Sequence, residues 1–191
     1  MEELLFEGND VLLQHKDSKN RKTSWEIIAA KRDDFWILTN SIYHNRIGLN
    51  IIKEKNISPF SNVSQIKTER THGKSRFDFL VTHNDGSQTW VELKGCSLAV
   101  DGTALFPDAP TTRGQRHVKE LRGIVEGGGR AAIVFLIFSP DAKIFSPKKD
   151  TDPKFTTELK LAHKAGVKIF PVKVEYLNKE IIYRGKIPLA F

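Results

Sequence analysis

The sequence predicts an α/β protein in two parts, a small β module followed by a larger domain of mixed strands and helices. Three observations carry this. The first 42 residues hold three short strand patterns separated by turn residues; residues 43–174 read α-β-β-β-α-β-α-β; and the strongly apolar strand Ala131 to Phe138 lies between two helical patterns. At 191 residues the chain suits one good-sized domain with a small appendage better than two equal domains. Hydrophobic residues at 39% and charged residues at 28%, with twelve Phe and three Trp, exclude a disordered chain.

The first module reads as strands Val11 to Gln14, Trp25 to Ala30 and Phe35 to Thr39. The turns are Asp17-Ser18-Lys19-Asn20 and Lys31-Arg32-Asp33-Asp34. Three strands are too few to close a barrel, so the module leans on the rest of the chain or leaves an edge open. A helix is predicted from Tyr43 to about Lys55, with Ile47, Ile51 and Ile52 on one face and Pro59 beyond its end. Ile66 to Arg70, Arg76 to Val81 and Gln88 to Cys96 then read as strands, the last two joined by the turn Asn84-Asp85-Gly86-Ser87.

Thr112 to Glu126 has helical spacing through Val118, Leu121 and Val125. Gly127-Gly128-Gly129 stops it, since a phosphate loop would follow a strand and open a helix, the reverse of this order. Asp152 caps the next helix, Pro153 occupies its first position and Gly166 ends it. Strands follow at Val167 to Val174 and Ile181 to Tyr183.

The net charge of +7 is unevenly placed: residues 1–60 hold nine Lys/Arg against nine Asp/Glu, and residues 61–191 hold twenty-one against fourteen. Such a surplus favours a polyanionic partner through phosphate contacts and counterion release. The single cysteine, Cys96, excludes an internal disulfide, and no Cys/His spacing suits structural zinc. The acidic start MEELLFEGND and the lack of any run of about 18 apolar residues predict neither a signal peptide nor a membrane span, and hence a cytoplasmic protein.

Strand Gln88 to Cys96 alternates, putting Trp90, Glu92, Lys94 and Cys96 on one face and Val91 and Leu93 on the other. The preceding strand sets Asp78 among apolar neighbours, across the hairpin from Glu92. Two carboxylates in an apolar setting call for a proton or a cation between them, and oxygen ligands select Mg²⁺ or Mn²⁺. Such an ion suits phosphodiester hydrolysis, with Lys94 positioning water or steadying the transition state. The acid-x-lysine triplet alone says little, because it recurs at Asp17/Lys19, Asp141/Lys143, Asp152/Lys154 and Glu158/Lys160. Only the Glu92 copy lies in an apolar strand beside another acid. The bland alternative is a solvent-facing cross-strand ion pair.

Ser75-Arg76-Phe77-Asp78-Phe79, Val91-Glu92-Leu93-Lys94, Leu105-Phe106-Pro107-Asp108-Ala109 and Thr112-Arg113-Gly114-Gln115-Arg116-His117 together resemble the sugar fermentation stimulation protein family, from about Leu4 to the C-terminus. The resemblance implies an OB-like β module over 1–42 and a PD-(D/E)xK restriction-endonuclease-like domain over 43–191, its mixed central sheet flanked by helices. Members typically begin roughly forty residues earlier, so the expected barrel here is incomplete. The family implies DNA binding without strong sequence preference and a regulatory link to maltose metabolism. A non-catalytic DNA-binding regulator therefore stands beside the nuclease reading, as does a metabolic regulator sensing a small anion at the same site. Oligomeric state is left open, homodimer included.

By motif, Glu69, Asp78, Glu92 and Lys94 would be the metal and catalytic residues, with Asp78, Glu92 and the Leu93 main-chain carbonyl as metal ligands, and Arg76, Asp108, Arg113 and His117 flanking the site. Arg113, Arg116, Lys119 and Arg122, with His117, would grip phosphates, His117 having a second possible role as general acid or as a support behind the ligands. In the first module Arg21 and Lys22 would add charge beside Trp25, Trp36 and Tyr43, although core packing is the expected fate of both Trp. Asn40, Asn45 and Arg46 match family positions near the domain junction. Cys96 is expected to be a buried small hydrophobe. Gly95 departs from the serine common in the family and is expected to loosen the strand beside Lys94.

Overall fold

The structure, a computed structural model, describes residues 2–17, 22–54 and 60–191. Ser18 to Asn20 of the first expected turn, together with Arg21, Lys55 and Pro59, lie outside those residues.

β1 (Val11–His15), β2 (Trp25–Arg32) and β3 (Phe35–Leu38) form an antiparallel meander. One 3₁₀ turn, Ser41–Tyr43, leads into α1 (His44–Lys53). Asn40 sets that corner: its side-chain oxygen accepts the Ile42 N–H at 3.0 Å while its amide donates to the Ile27 carbonyl at 3.1 Å. This satisfies an orphan donor at the turn and fastens it to β2. There follow β4 (Val63–His72), β5 (Ser75–His83), β6 (Gln88–Cys96), β7 (Ala99–Val100) and β8 (Thr103–Phe106). The remaining elements are α2 (Thr112–Glu126), β9 (Arg130–Ile137), β10 (Ile144–Pro147), α3 (Pro153–Ala165), β11 (Lys168–Leu177) and β12 (Glu180–Lys186).

Among the described residues one mixed sheet runs β1-β2-β3-β11-β9-β6-β5-β4, with β12 also on β11; β6, β9 and β11 are parallel and the other pairings antiparallel. The N-terminal meander is thus an extension of the main sheet, joined where Trp36 pairs with Tyr176, and it leans on the larger domain as three strands must. A second sheet, β10-β8-β7, closes the carboxyl end of β6. Its strands have two to four residues, too few to show a period, and the sequence reading passed over them.

Two apolar layers sandwich the main sheet. Ile47, Ile51 and Ile52 of α1 pack with Val91, Leu93, Val134 and Leu136 on one face. Val118 and Leu121 of α2, with Phe155 and Leu159 of α3, pack with Ile133, Phe135 and Ile137 on the other. With roughly 1.5–3 kcal/mol gained per fully buried large apolar side chain, β9 is the anchor of both layers, which is why it is apolar at every position after Arg130. Trp25 departs from expectation: it is 52% exposed on β2, with its edge against His15, and belongs to neither layer. No helix among the described residues is long and apolar enough to cross a membrane.

Candidate metal centre

β5 breaks at Asp78. Phe77 belongs to the α2/α3 layer and Phe79 to the α1 layer, although residues two apart on a regular strand share a face. On the neighbouring strand β4, pairing skips Glu69 between Thr68↔Phe79 and Arg70↔Phe77, and Glu69 takes φ +51°, an uncommon region for a residue with a side chain. Toward the other neighbour, the β5–β6 ladder stops at Phe79↔Val91, while β6 stays paired to β9 as far as Cys96↔Ile137. The sheet therefore opens between β5 and β6 at Asp78 and Glu92. Asp78 fills the gap: its Oδ2 accepts the Leu93 N–H at 2.7 Å, replacing the missing ladder bond.

Glu92 is the buried member of the pair, its side chain 5% exposed. Its Oε1 is held twice, by the Lys94 ammonium and by His117 Nδ1 at 2.6 Å, the imidazole N–H donating. Its Oε2 is buried with no hydrogen-bond partner among the described residues. Burial alone would raise the Glu92 pKa; the His117 hydrogen bond and the Lys94 charge outweigh it and hold the group below its ordinary value. Asp78 goes the opposite way. Burial first and the Glu92 charge second push it up to about 6, against the Leu93 N–H and the Lys94 and His117 charges. An ionised glutamate with one oxygen unsatisfied, beside an aspartate that resists ionising, could be completed by a cation. Asp78, Glu92 and the Leu93 carbonyl fit a hard divalent ion. No cluster of three or more His, Cys, Asp or Glu occurs among the described residues, so two carboxylates would be completed by the carbonyl and water.

The other predicted residues separate into groups. His117, on α2, is 1% exposed with its ring against Phe77 and its Nδ1 on Glu92, which matches the support role expected of it and not the phosphate contact. Arg113, Arg116 and Lys119 are exposed at three-residue spacing on the same helix. Arg122 instead pairs with Glu126 and Glu158, both at 3.3 Å, and serves the α2–α3 contact. Glu69 points to solvent and pairs with Arg76 at 3.9 Å rather than joining Asp78. Asp108 is exposed after β8, close enough to Cys96 to affect it, and Lys22 is exposed before β2. The Cys96 thiol is buried, donates to the Leu105 carbonyl at 3.3 Å and is pushed up to about 12 by burial and then Asp108, which makes it inert.

Gly95 does not loosen β6, where it stays paired with Leu136. A Cβ there would stand 2.1 Å from His44 Cε1, so the glycine is a seat for that ring. Sequence reasoning passed over His44; the one signal for it was this glycine.

Residues 42–180 match the family model "Sugar fermentation stimulation protein RE domain" and residues 1–39 match "SfsA N-terminal OB domain". A sugar fermentation stimulation protein homolog of Methanococcoides burtonii is 46% identical over 190 residues, covering 100% of this chain and 76% of the relative. One from Methanothermobacter thermautotrophicus is 43% identical over 185 residues, covering 96% and 77%. The solved structure of Pyrococcus furiosus SfsA in complex with Ca²⁺ aligns at a TM-score of 0.93 and 31% identity, covering 100% of this chain and 82% of that one.

Proposed function

The chain belongs to the sugar fermentation stimulation protein family, and from that premise we propose that it binds DNA and carries a divalent-metal site of the nuclease type, competent for phosphodiester hydrolysis. The observation that carries this reading is Glu92 Oε2, a buried carboxylate oxygen without a hydrogen bond, whose neighbour Asp78 feels the glutamate's charge. Leaving such an oxygen unpaired costs on the order of 1–3 kcal/mol or more, and a cation shared with Asp78 removes that cost. Asp78, Glu92 and the Leu93 carbonyl would hold Mg²⁺ or Mn²⁺. The Ca²⁺ complex of the Pyrococcus relative supports a hard cation in this fold.

A bound divalent ion would supply charge neutralisation at phosphate and acidify a coordinated water. The chain's own groups do the rest. Lys94 and His117 take Glu92 Oε1 and so leave Oε2 to the ion. The Lys94 side chain, 14% exposed, would set its ammonium beside negative charge growing on a phosphate under attack. Arg113, Arg116 and Lys119 offer phosphate contacts along α2, with Arg76 at the lip of the site and Lys22 on the first module. Phosphate contacts position a duplex without reading its sequence, which favours DNA binding of low sequence preference.

The test is incubation of supercoiled plasmid and single-stranded DNA with Mg²⁺ or Mn²⁺ and the wild type, Glu92→Ala and Lys94→Ala. Cleavage by the wild type alone is the expected result. Equal residual cleavage by all three assigns it to a contaminant and overturns the catalytic reading. Retained DNA and Mn²⁺ binding with no cleavage by any of them makes the protein a non-catalytic DNA-binding regulator.

A further inference from the structure

A hollow of about 70 Å³ opens at the carboxyl end of β6, one residue past Lys94, where the first module meets the larger domain. Thr39, His44, Gly95, Phe106, Asp108 and Phe138 are among the residues that line it. His44 forms one wall, its ring stacked on Phe138 with centroids 5.1 Å apart and pressed onto the Gly95 main chain. Burial lowers its pKa to about 4, so the ring is a neutral imidazole with one donor and one acceptor nitrogen, neither bonded to another described residue.

We propose that this hollow is a base subsite, taking one unstacked, pyrimidine-sized nucleobase of the DNA strand whose phosphate meets Lys94. The inference rests on the DNA-binding reading given above and adds which part of the strand goes where. Charge excludes a phosphate, because no Lys or Arg lines the hollow and an aspartate stands at its lip. Size excludes a base pair: at ~10–15 Å³ per water, the space holds about five waters, or one six-membered ring with its substituents. The chemistry fits a base edge, with aromatic walls for its faces and imidazole and carboxylate groups for its polar atoms. Position fits as well, since Cys96, two residues past Lys94 on the same face of β6, lines the hollow together with Gly95 on the opposite face. A base stacked in a duplex cannot enter, so the subsite favours single strands, frayed ends and mismatches, where extrusion costs least.

The test measures affinity, with Ca²⁺ present, for a set of single-stranded oligonucleotides each lacking the base at one position. Wild type should lose about tenfold at one position and little elsewhere, the size of one lost base stack. His44→Ala should lose the same factor on the intact strand and nothing further on that abasic one, with Mn²⁺ affinity of the DNA-free protein unchanged. Leu98→Trp, which fills the hollow from its rim and leaves His44 in place, should behave likewise and guards against a folding defect in His44→Ala. Wild-type binding indifferent to every abasic position overturns the subsite while leaving the DNA-binding reading intact. The same indifference accompanied by tight binding of free deoxycytidine would make the hollow a small-molecule site and equally overturn it. No binding of any oligonucleotide by the wild type sinks both readings.

Discussion

Asp78 is raised to about 6 by burial and by Glu92, so in the metal-free protein near neutral pH its charge is held against its preference. Asp78→Asn keeps an oxygen to accept the Leu93 N–H and removes the repulsion. Holding the Asp78 carboxyl at about 6 instead of its ordinary value near 4 corresponds to roughly 2–3 kcal/mol. The metal-free variant should therefore melt roughly 4 °C or more above the wild type in a thermal scan at pH 7.5. Adding Mn²⁺ should raise the wild type's melting temperature and leave the variant's unchanged; a variant that melts lower without metal would show that Asp78 is not under strain. The acids and the lysine were legible in the sequence because strand alternation is local and Glu92 and Lys94 sit two residues apart. His44 and Gly95 were not, because a ring pressed on a glycine 51 positions away leaves no local pattern, and the absent side chain reads as slack. His117 was legible as a site residue with its role open between a phosphate contact, a general acid and a support behind the ligands: the spacing of α2 says which turn it occupies, while its burial depends on where Phe77 crosses.

At the level of elements, one carboxylate ties two helices together. Asp152 caps α3 by accepting the Phe155 N–H at 2.8 Å, and it also accepts the Thr111 N–H at 2.9 Å and the Gln115 amide, both at the start of α2. Burial would raise its pKa, but the Thr111 and Phe155 N–H groups prevail and lower it. A carboxyl that is more acidic folded than unfolded adds stability above its unfolded value near 4, and that stability disappears as pH falls through the lowered folded value. Asp152→Ala should cost about 2 kcal/mol at pH 7, a cap plus a second helix tie. Urea midpoints of variant and wild type should converge as pH falls below about 4; a gap that persists at pH 2.5 would mean that the charge is irrelevant. The cap itself was legible, because Asp-Pro before an apolar period and Gly166 after it are the start and stop marks of a helix, and Gly166 takes φ +110° as a helix stop requires. The reach of Asp152 back to Thr111 was not, since it spans 41 positions. The same reasoning separates the helices and strands: β6 and α2 were readable to the residue from periodicity, whereas the break at Asp78 comes from one ladder ending and another skipping a pair at the same place, which no single strand encodes.

Across the whole molecule, the basic surplus lies in residues 61–191, the part that also holds the carboxylate pair. A surplus alone does not make an interface; a surplus on one helix beside an acidic pocket gives the field a direction. Arg113, Arg116 and Lys119 are exposed and three residues apart, so they form a stripe along α2, while His117 between them faces inward to Glu92. Phosphates lying on that stripe would be brought to the opening between β5 and β6, where the β5–β6 ladder ends. Binding led by phosphates must weaken with salt, with a log-log slope of about −0.9 per phosphate neutralised on duplex DNA. Replacing Arg113, Arg116 and Lys119 together by Gln should make the slope shallower by about two to three units, and by the same amount on two duplexes of unrelated sequence. Fluorescence anisotropy between 50 and 300 mM KCl reads both quantities. A wild-type slope near zero would remove phosphates as the leading contact, and a steep slope untouched by the triple replacement would move the interface off α2, leaving Lys22 and the first module as the surface to probe.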